Sequence, residues 1–295
     1  MKKATLIPFD RSHRLLDKVR GYLEDMESFL SDPESGIAIL LEALPHADTP
    51  LLINIIPLLG YAGKDRVLWP LYDLVVGGAT DEQIRAAAAV QLGLAASLSR
   101  DVLSLNAALI NMLDHSAPSI RIACALALGW EGNHPAVSAL IHHFDDPDRD
   151  VQAAVVSAMV SVGDGYVFEF LTTRLQVGLM EEKRSILLHL WRFAEKFPDV
   201  ESVYIENMGD IPMELRVDGL TGLGMLPLTT RIVDFYRRLL ADREPRVRLQ
   251  VLDNLLGCKA DDYHLLKEEI RLLLNDGDLP VRQAAIRLYG RVKLQ

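Results

Sequence analysis

One segment recurs eight times along this 295-residue chain, at intervals of about 33 residues. Each copy has an acid, then an aliphatic residue three positions later, then a basic residue. A large apolar residue and a glycine follow eight and nine positions past the aliphatic one. Asp81, Ile84, Arg85, Leu92 and Gly93 define the pattern. A fixed period of this length indicates a stack of supersecondary units rather than a globule built around one pocket.

The aliphatic residue, called the anchor here, fixes the register of each repeat. Slots are numbered from it, so slot eight lies eight residues past the anchor. The anchors, with lysine in the one divergent repeat, are Leu51, Ile84, Ile120, Val151, Lys183, Leu215, Val247 and Val281. Slot eight is large and apolar in every repeat, and slot nine is glycine in five of them. This agreement at linked positions indicates a true internal repeat.

Each shared position has a structural role in a helix. The acid before the anchor is placed to cap the helix N-terminus, and the glycine in slot nine to end the helix. Arg85 can pair with Asp81, and Arg282 with Asp278, while similar pairs can run sideways between neighbouring repeats. A second amphipathic stretch precedes each of these helices, and no stretch alternates like a β-strand. The sequence therefore predicts an all-α fold, a right-handed α-solenoid of about eight helix–turn–helix repeats.

Residues 1–33 lie outside the repeat, and residues 34–295 form the predicted array. The stretch from Ser12 to Leu30 has apolar residues at helical spacing, which predicts one long helix. Because the ends of a solenoid need a cap with a polar face, we expect this helix to cap the array. The alternative is that it docks onto a partner, or onto a second copy to give a homodimer.

The repeat resembles HEAT repeats. The run Ile-Arg-x-x-Ala-x-x-x-Leu-Gly at 84–93 and its echo at 281–290 are most similar to the bacterial HEAT-like group that includes phycocyanobilin lyase subunits. This group holds scaffolds, adaptors, lyases, hydroxylases and DNA glycosylases, so the resemblance implies the fold and leaves the function open.

Composition narrows the classes of partner and compartment. A net charge of −10 argues against nucleic acid, since duplex binding needs a basic surface. The arginines between 231 and 248 are interleaved with acids and are typical of a solvated face. Two cysteines give no disulfide framework, which favours the cytoplasm. No signal peptide or membrane-spanning run is found, so we expect no membrane association.

Candidates for chemistry are few. His142 and His143 precede four acids in the nine residues 142–150, but they span a helix end and a turn, where caps explain the acids without a metal. We expect Cys124 to be a small buried thiol. Diiron hydroxylases with HEAT-like repeats use His-Glu pairs, and this chain has no His-Glu dipeptide. We therefore expect no metal and no cofactor, and an enzyme is the less favoured reading.

The candidate site is the concave face of the solenoid. We expect the side chains in slots three, six, seven and ten of the second helices to point toward this face. The residue in slot ten is often large and apolar. The alternative is that slot ten packs under the next repeat. The predicted protein-binding residues are Tyr61, Val90, Leu94, Leu126, Trp130, Ile186, His189, Phe193, Asp218 and Met225. Two functions fit: a non-catalytic scaffold or adaptor that binds a protein or peptide segment, or a lyase-like enzyme or enzyme subunit of the bilin lyase type.

Overall fold

In a computed structural model the chain folds into two compact units, Met1–Val162 and Gly163–Gln295, called unit 1 and unit 2. The structure describes residues 9–62, 64–100, 102–209, 211–259 and 263–293. Within these ranges the regular structure is helical and no residue belongs to a β-strand. The all-α prediction is confirmed.

Unit 1 begins with two helices that precede the repeats and continues with four helix pairs. Its helices are α1 Phe9–Glu24, α2 Met26–Ser31, α3 Pro33–Ala43, α4 Thr49–Ala62, α5 Leu68–Val76, α6 Glu82–Ser97, α7 Leu103–Met112, α8 Pro118–Leu128, α9 His134–His142 and α10 Arg149–Val162. The second helices of the pairs, α4, α6, α8 and α10, pack side by side in chain order.

Unit 2 contains four further pairs with the same organisation. Its helices are α11 Gly165–Val177, α12 Met180–His189, α13 Val200–Asn207, α14 Met213–Leu223, α15 Thr230–Leu239, α16 Pro245–Leu256, α17 Lys267–Leu272 and α18 Leu279–Lys293. Here α12, α14, α16 and α18 pack side by side. The described helices thus form eight pairs, and the α-solenoid of helix–turn–helix repeats is confirmed as the fold class.

The anchors form the core of each repeat. All seven aliphatic anchors are buried, while Lys183 in the divergent repeat is half-buried and donates from Nζ to the Gln176 carbonyl at 3.1 Å. Burying an aliphatic side chain contributes roughly 1.5–3 kcal/mol, so the aliphatic anchor stabilises the core of seven of the eight helix pairs.

The predicted aspartate caps form. Backbone amides near the helix starts donate to Asp48 at 3.0 Å, to Asp81 at 2.9 Å, to Asp148 at 3.1 Å and to Asp278 at 3.2 Å. Glu244 stands at the same position of α16, but its side chain accepts no capping bond. Each aspartate satisfies amides that the helix itself cannot pair.

The repeat arginines pair sideways rather than along their own helix. Arg121 bonds Asp146 at 2.8 Å, Arg248 bonds Asp276 at 2.6 Å, and Arg216 bonds Asp242. Each of these aspartates lies in the joint of the following repeat. The pairs predicted within one helix, Asp81 with Arg85 and Asp278 with Arg282, do not form, because the aspartates cap the helix and the arginines bond backbone carbonyls instead.

The N-terminal region differs from the predicted single helix. The chain breaks at Asp25, with φ −125° and ψ 88°, and so forms α1 and α2. The break places the Phe29 ring against Tyr22, at 5.8 Å between centroids, and against Gly36, where an added Cβ would lie 2.6 Å from the ring. Helix α1 packs on α3. No helix in the described ranges is long and apolar enough to cross a bilayer.

Candidate functional site

Small residues bring the second helices of unit 1 into close contact. A Cβ added at Gly60 would lie 2.6 Å from the Cβ of Gln91, and one added at Gly129 would lie 2.6 Å from the Cα of Ala158. A Cβ at Gly93 would lie 3.2 Å from the Ala127 carbonyl oxygen. Each contact joins slot nine of one helix to slot seven of the next. Residues in the same slot of α4, α6, α8 and α10 therefore lie next to one another on neighbouring helices.

Slots six and ten flank these contacts and form a surface that we call the apolar strip. The two slots are four residues apart, so they share one face of each helix. The strip consists of Pro57 and Tyr61 on α4, Val90 and Leu94 on α6, and Leu126 and Trp130 on and just after α8. Tyr61 is 74% exposed, Val90 57% and Leu94 39%, while Leu126 and Trp130 are half-buried.

The apolar strip ends at α10. Slots six and ten of that helix are Ser157 and Ser161, both half-buried, and the Ser161 hydroxyl donates to the Ser157 carbonyl at 2.9 Å. Apolar surface therefore covers three consecutive second helices and becomes polar on the fourth. A contiguous exposed apolar patch of this kind is typical of an interaction surface.

A cavity of about 380 Å³ opens at the other ends of these helices, where α6, α8 and α10 begin. Its lining combines first-turn acids with an apolar floor. The lining residues are Glu82, Arg85, Ala86, Pro118, Ser119, Ile122, Ala123, Leu126, Asp148 and Asp150. Because Leu126 also belongs to the apolar strip, the cavity and the strip form one continuous surface of unit 1.

The candidate residues of unit 2 are less exposed. Ile186 is fully buried and Phe193 is 1% exposed. The Phe193 ring packs on Phe168 at 5.4 Å and on Phe197 at 5.6 Å, and these two partner rings stack at 4.6 Å. Slot ten of this repeat thus lies in the core, which is the alternative that the sequence left open. As packed, neither side chain offers surface to a partner.

A tyrosine explains why this repeat differs from the others. The Tyr204 hydroxyl donates to the Leu187 carbonyl at 2.7 Å and accepts from the Trp191 amide at 3.0 Å. It occupies the place of the helical bond between those two groups, so α12 ends at His189 and continues as a 3₁₀ turn from Leu190 to Phe193. This change of helix geometry accompanies the burial of Phe193.

The other candidates of unit 2 lie apart from one another. Met225 is 57% exposed just after α14. Asp218 is nearly buried, 3.0 Å from the Arg184 Nε, and burial raises the pKa of Asp218 although Arg184 opposes it. His189 is half-buried, and burial followed by the charge of Arg192 lowers its pKa. The structure brings together the five candidates of unit 1 and does not gather those of unit 2.

Two of the four acids that follow His142 and His143 have structural roles. Asp146 pairs with Arg121, and Asp148 caps α10. In the part of the chain that the structure describes, no three His, Cys, Asp or Glu side chains come together as metal ligands. Cys124 is buried, and burial raises the pKa of its thiol to about 12 despite the opposing charge of Arg85. That thiol stays protonated at neutral pH and is a weak nucleophile.

Sequence reasoning missed three parts of the unit 1 surface: Pro57 in slot six of α4, Ile122 on the cavity floor, and the acids Glu82 and Asp150 at its rim. Glu82 lies two residues before its anchor and Asp150 one residue before its anchor, whereas the capping acids lie three residues before theirs. Separating first-turn acids from capping acids in the aligned repeats could therefore have identified them. Pro57 shares its slot with Val90 and Leu126, which is also visible in the aligned repeats.

The fold and surface of the chain define a helical-repeat protein with an exposed apolar face. Residues 78–160 match the family model of HEAT repeats, which confirms the resemblance predicted from the sequence. A comparison with curated proteins finds no match.

Among solved structures, the chain is similar to Kap121p bound to RanGTP, with 14% identity over 97% of this chain and 40% of that one, and a TM-score of 0.50. It is also similar to the karyopherin Kap121p bound to the extreme C-terminus of the protein phosphatase Cdc14p (15% identity, 97% and 41% coverage, TM-score 0.48). Human deoxyhypusine hydroxylase matches at 13% identity, with 98% and 92% coverage and a TM-score of 0.29. The chain spans about two fifths of the karyopherin chains.

Proposed function

We propose that this protein is a non-catalytic interaction module that binds a protein or peptide segment on the apolar strip of unit 1. The observation that carries the proposal is the strip itself: six apolar or aromatic side chains in equivalent slots of three adjacent helices. Aromatic residues are enriched among binding hot spots, and Tyr61 and Trp130 place one at each end of the strip.

The packing beneath the strip favours binding over a purely structural role. The anchors and slot-eight residues of α4, α6 and α8 already fill the core from the opposite side of each helix. The exposed side chains of Tyr61, Val90 and Leu94 are therefore not needed to hold the repeats together. In solenoids such variable slots form an extended surface for partners, and Kap121p, which has a related fold, is bound to RanGTP in its structure.

Charge and cysteine content support a protein partner in the cytoplasm. The net charge of −10 disfavours a nucleic-acid backbone as the ligand. Both cysteines are free, as expected in a reducing compartment. In unit 2 we propose that Met225 makes a separate contact, and that Ile186, Phe193 and Asp218 support their helices. We also propose that α1 and α2 cap the array by packing on α3.

A random twelve-residue peptide library displayed on phage and selected on the full chain tests the proposal. We expect enrichment of peptides with two or more large apolar residues. The double variant Val90→Ser with Leu126→Ser should bind the best synthetic peptide at least 10-fold more weakly in fluorescence anisotropy, with unchanged circular dichroism. Each serine removes one apolar contact from the strip.

The matched control is Trp69→Ser with Leu103→Ser, two exposed apolar residues on the first helices α5 and α7 of the same unit. This variant should bind as the wild type does. Equal losses in both variants would show nonspecific adhesion and contradict the proposal. Failure to enrich any peptide would also contradict it.

A further inference from the structure

The cavity at the start of α6, α8 and α10 combines two kinds of surface. Its floor is apolar, formed by Ala86, Ile122, Ala123 and Leu126 from two neighbouring helices. Its volume of about 380 Å³ is near the lower end of ligand-binding clefts, which run from about 300 to 1,000 Å³. Such a space is too small for a helix but can hold one long side chain.

The charges at the cavity mouth are negative and available. Glu82 and Asp150 are exposed, and neither carboxylate forms an ion pair with another described residue. Asp148 adds a third carboxylate that accepts from the amides of Asp150 and Val151, at 2.9 and 3.1 Å. The rim therefore has two carboxylates without an ion pair, Glu82 and Asp150, beside the capping carboxylate of Asp148.

The one basic residue of the lining is already engaged. Arg85 is 6% exposed, and its guanidinium donates to the carbonyls of Val75, Gly77 and Thr80 in the α5–α6 joint, at 2.9 Å to Gly77 and 3.2 Å to Thr80. These three acceptors bind the guanidinium to the α5–α6 joint. Although the helix N-termini attract anions, the rim acids in their first turns repel them, so a cationic group fits this mouth better.

We infer that this cavity binds the side chain of a lysine or arginine in the segment that occupies the apolar strip, an inference that rests on the proposed function. The aliphatic stem of such a side chain lies on Ile122 and Leu126, and its charge pairs with Glu82 and Asp150. Lysine and arginine bury their stems on apolar surface while the charged end meets a polar partner. Because Leu126 is shared, the recognised segment carries a basic residue next to its apolar ones.

A double-mutant cycle on the full chain tests the assignment. The probes are the best synthetic peptide from the phage selection and its analogue with every Lys and Arg changed to Gln. The variant Glu82→Gln with Asp150→Asn should bind the basic peptide about 10-fold more weakly and the Gln analogue within 2-fold of wild type. Raising the salt from 50 to 300 mM should weaken wild-type binding more than binding by this variant.

The control variant is Glu34→Gln with Glu214→Gln, which removes first-turn acids of α3 and α14 outside the cavity. It should leave both affinities unchanged. Selected peptides without basic residues that still depend on Val90 and Leu126 would overturn the cavity assignment and leave the interaction function intact. Equal losses for the basic peptide and its Gln analogue would overturn the assignment too, since the acids would then act only on the fold.

Discussion

Phe193 and Tyr61 occupy the same slot of two repeats and have opposite environments. Tyr61 is 74% exposed, whereas Phe193 is 1% exposed among Phe168 and Phe197. We expect Phe193→Ala to lower the free energy of unfolding by roughly 3–5 kcal/mol, as for other buried phenylalanines. Tyr61→Ala should change it by less than about 0.5 kcal/mol.

Urea denaturation followed by circular dichroism measures both changes. A Phe193→Ala protein as stable as wild type would show that this aromatic cluster is not part of the core. The comparison also separates stability from binding, since Tyr61→Ala should weaken peptide binding and Phe193→Ala should act through folding.

Gly222 lies where helix α14 meets the Tyr204 hydroxyl. An added Cβ would lie 2.2 Å from the Leu187 carbonyl oxygen and 2.3 Å from the Tyr204 Oη. We expect Gly222→Ala to lower the free energy of unfolding by about 1–3 kcal/mol, because the overpacking exceeds the gain in helix propensity. Gly290 on α18 is the matched control, since nothing lies within 4 Å of its added Cβ.

In the same thermal or urea experiment, Gly290→Ala should stabilise the protein by about 0.5–1 kcal/mol. Stabilisation by both substitutions would contradict the close approach at Gly222. Gly219 and Gly224 make similarly close approaches, to Met208 and Asn254.

At the scale of elements, the prediction that a slot-nine glycine ends the helix is wrong in three of five repeats, since α4, α6 and α18 continue past their glycines. The period does predict all eight helix pairs and four of the five acid N-caps, because these depend on residues close together in the chain. The exceptions depend on distant contacts. The break at Asp25 accompanies packing of Phe29 on Gly36, and the early end of α12 requires Tyr204, thirteen residues beyond Trp191. Five strip residues were predicted from their slots. The rim acids were not, since the repeat pattern assigns acids to caps.

The lateral arginine–aspartate pairs link neighbouring helix pairs and make stability depend on pH. Burial acts to raise the pKa of Asp146, but hydrogen bonds from Arg121 and the Asp148 amide outweigh it, so the pKa is lowered. The pKa values of Asp242 and Asp276 are lowered in the same way by Arg216 and Arg248. A lowered folded-state pKa stabilises the fold above the unfolded value of about 3.9, and this stabilisation is lost as the pH falls through the folded pKa.

We therefore expect the urea concentration at the unfolding midpoint to fall as the pH drops below about 4. The triple variant Asp146→Asn, Asp242→Asn and Asp276→Asn should be less stable at pH 7 and should lose less on acidification. The control neutralises Asp17, Asp234 and Glu268, which form exposed pairs with arginines three residues away on their own helices. It should behave nearly as wild type, because exposed pairs contribute little. Equal effects of the two triple variants would contradict a special role for the lateral pairs.

At the scale of the whole molecule, a repeat array holds its stability in contacts between successive helix pairs. A substitution that destabilises one helix pair should therefore also lower the local stability of its neighbours, with an effect that decreases with distance along the chain. We expect Gly222→Ala to accelerate amide hydrogen exchange most in α12 and α14, and least in α4 and α6. Gly129→Ala should instead accelerate exchange most in α8 and α10, because its Cβ would lie 2.6 Å from the Ala158 Cα.

Hydrogen exchange followed by mass spectrometry gives both patterns under native conditions. The two variants control each other, since each places one methyl group in a close contact between second helices, one in each compact unit. Uniform acceleration across α4 to α18 in both variants would contradict local coupling and show a single cooperative unit. Local patterns would show that the helices carrying the apolar strip of unit 1 stay protected when α12 and α14 are loosened, as a binding surface built from adjacent repeats requires.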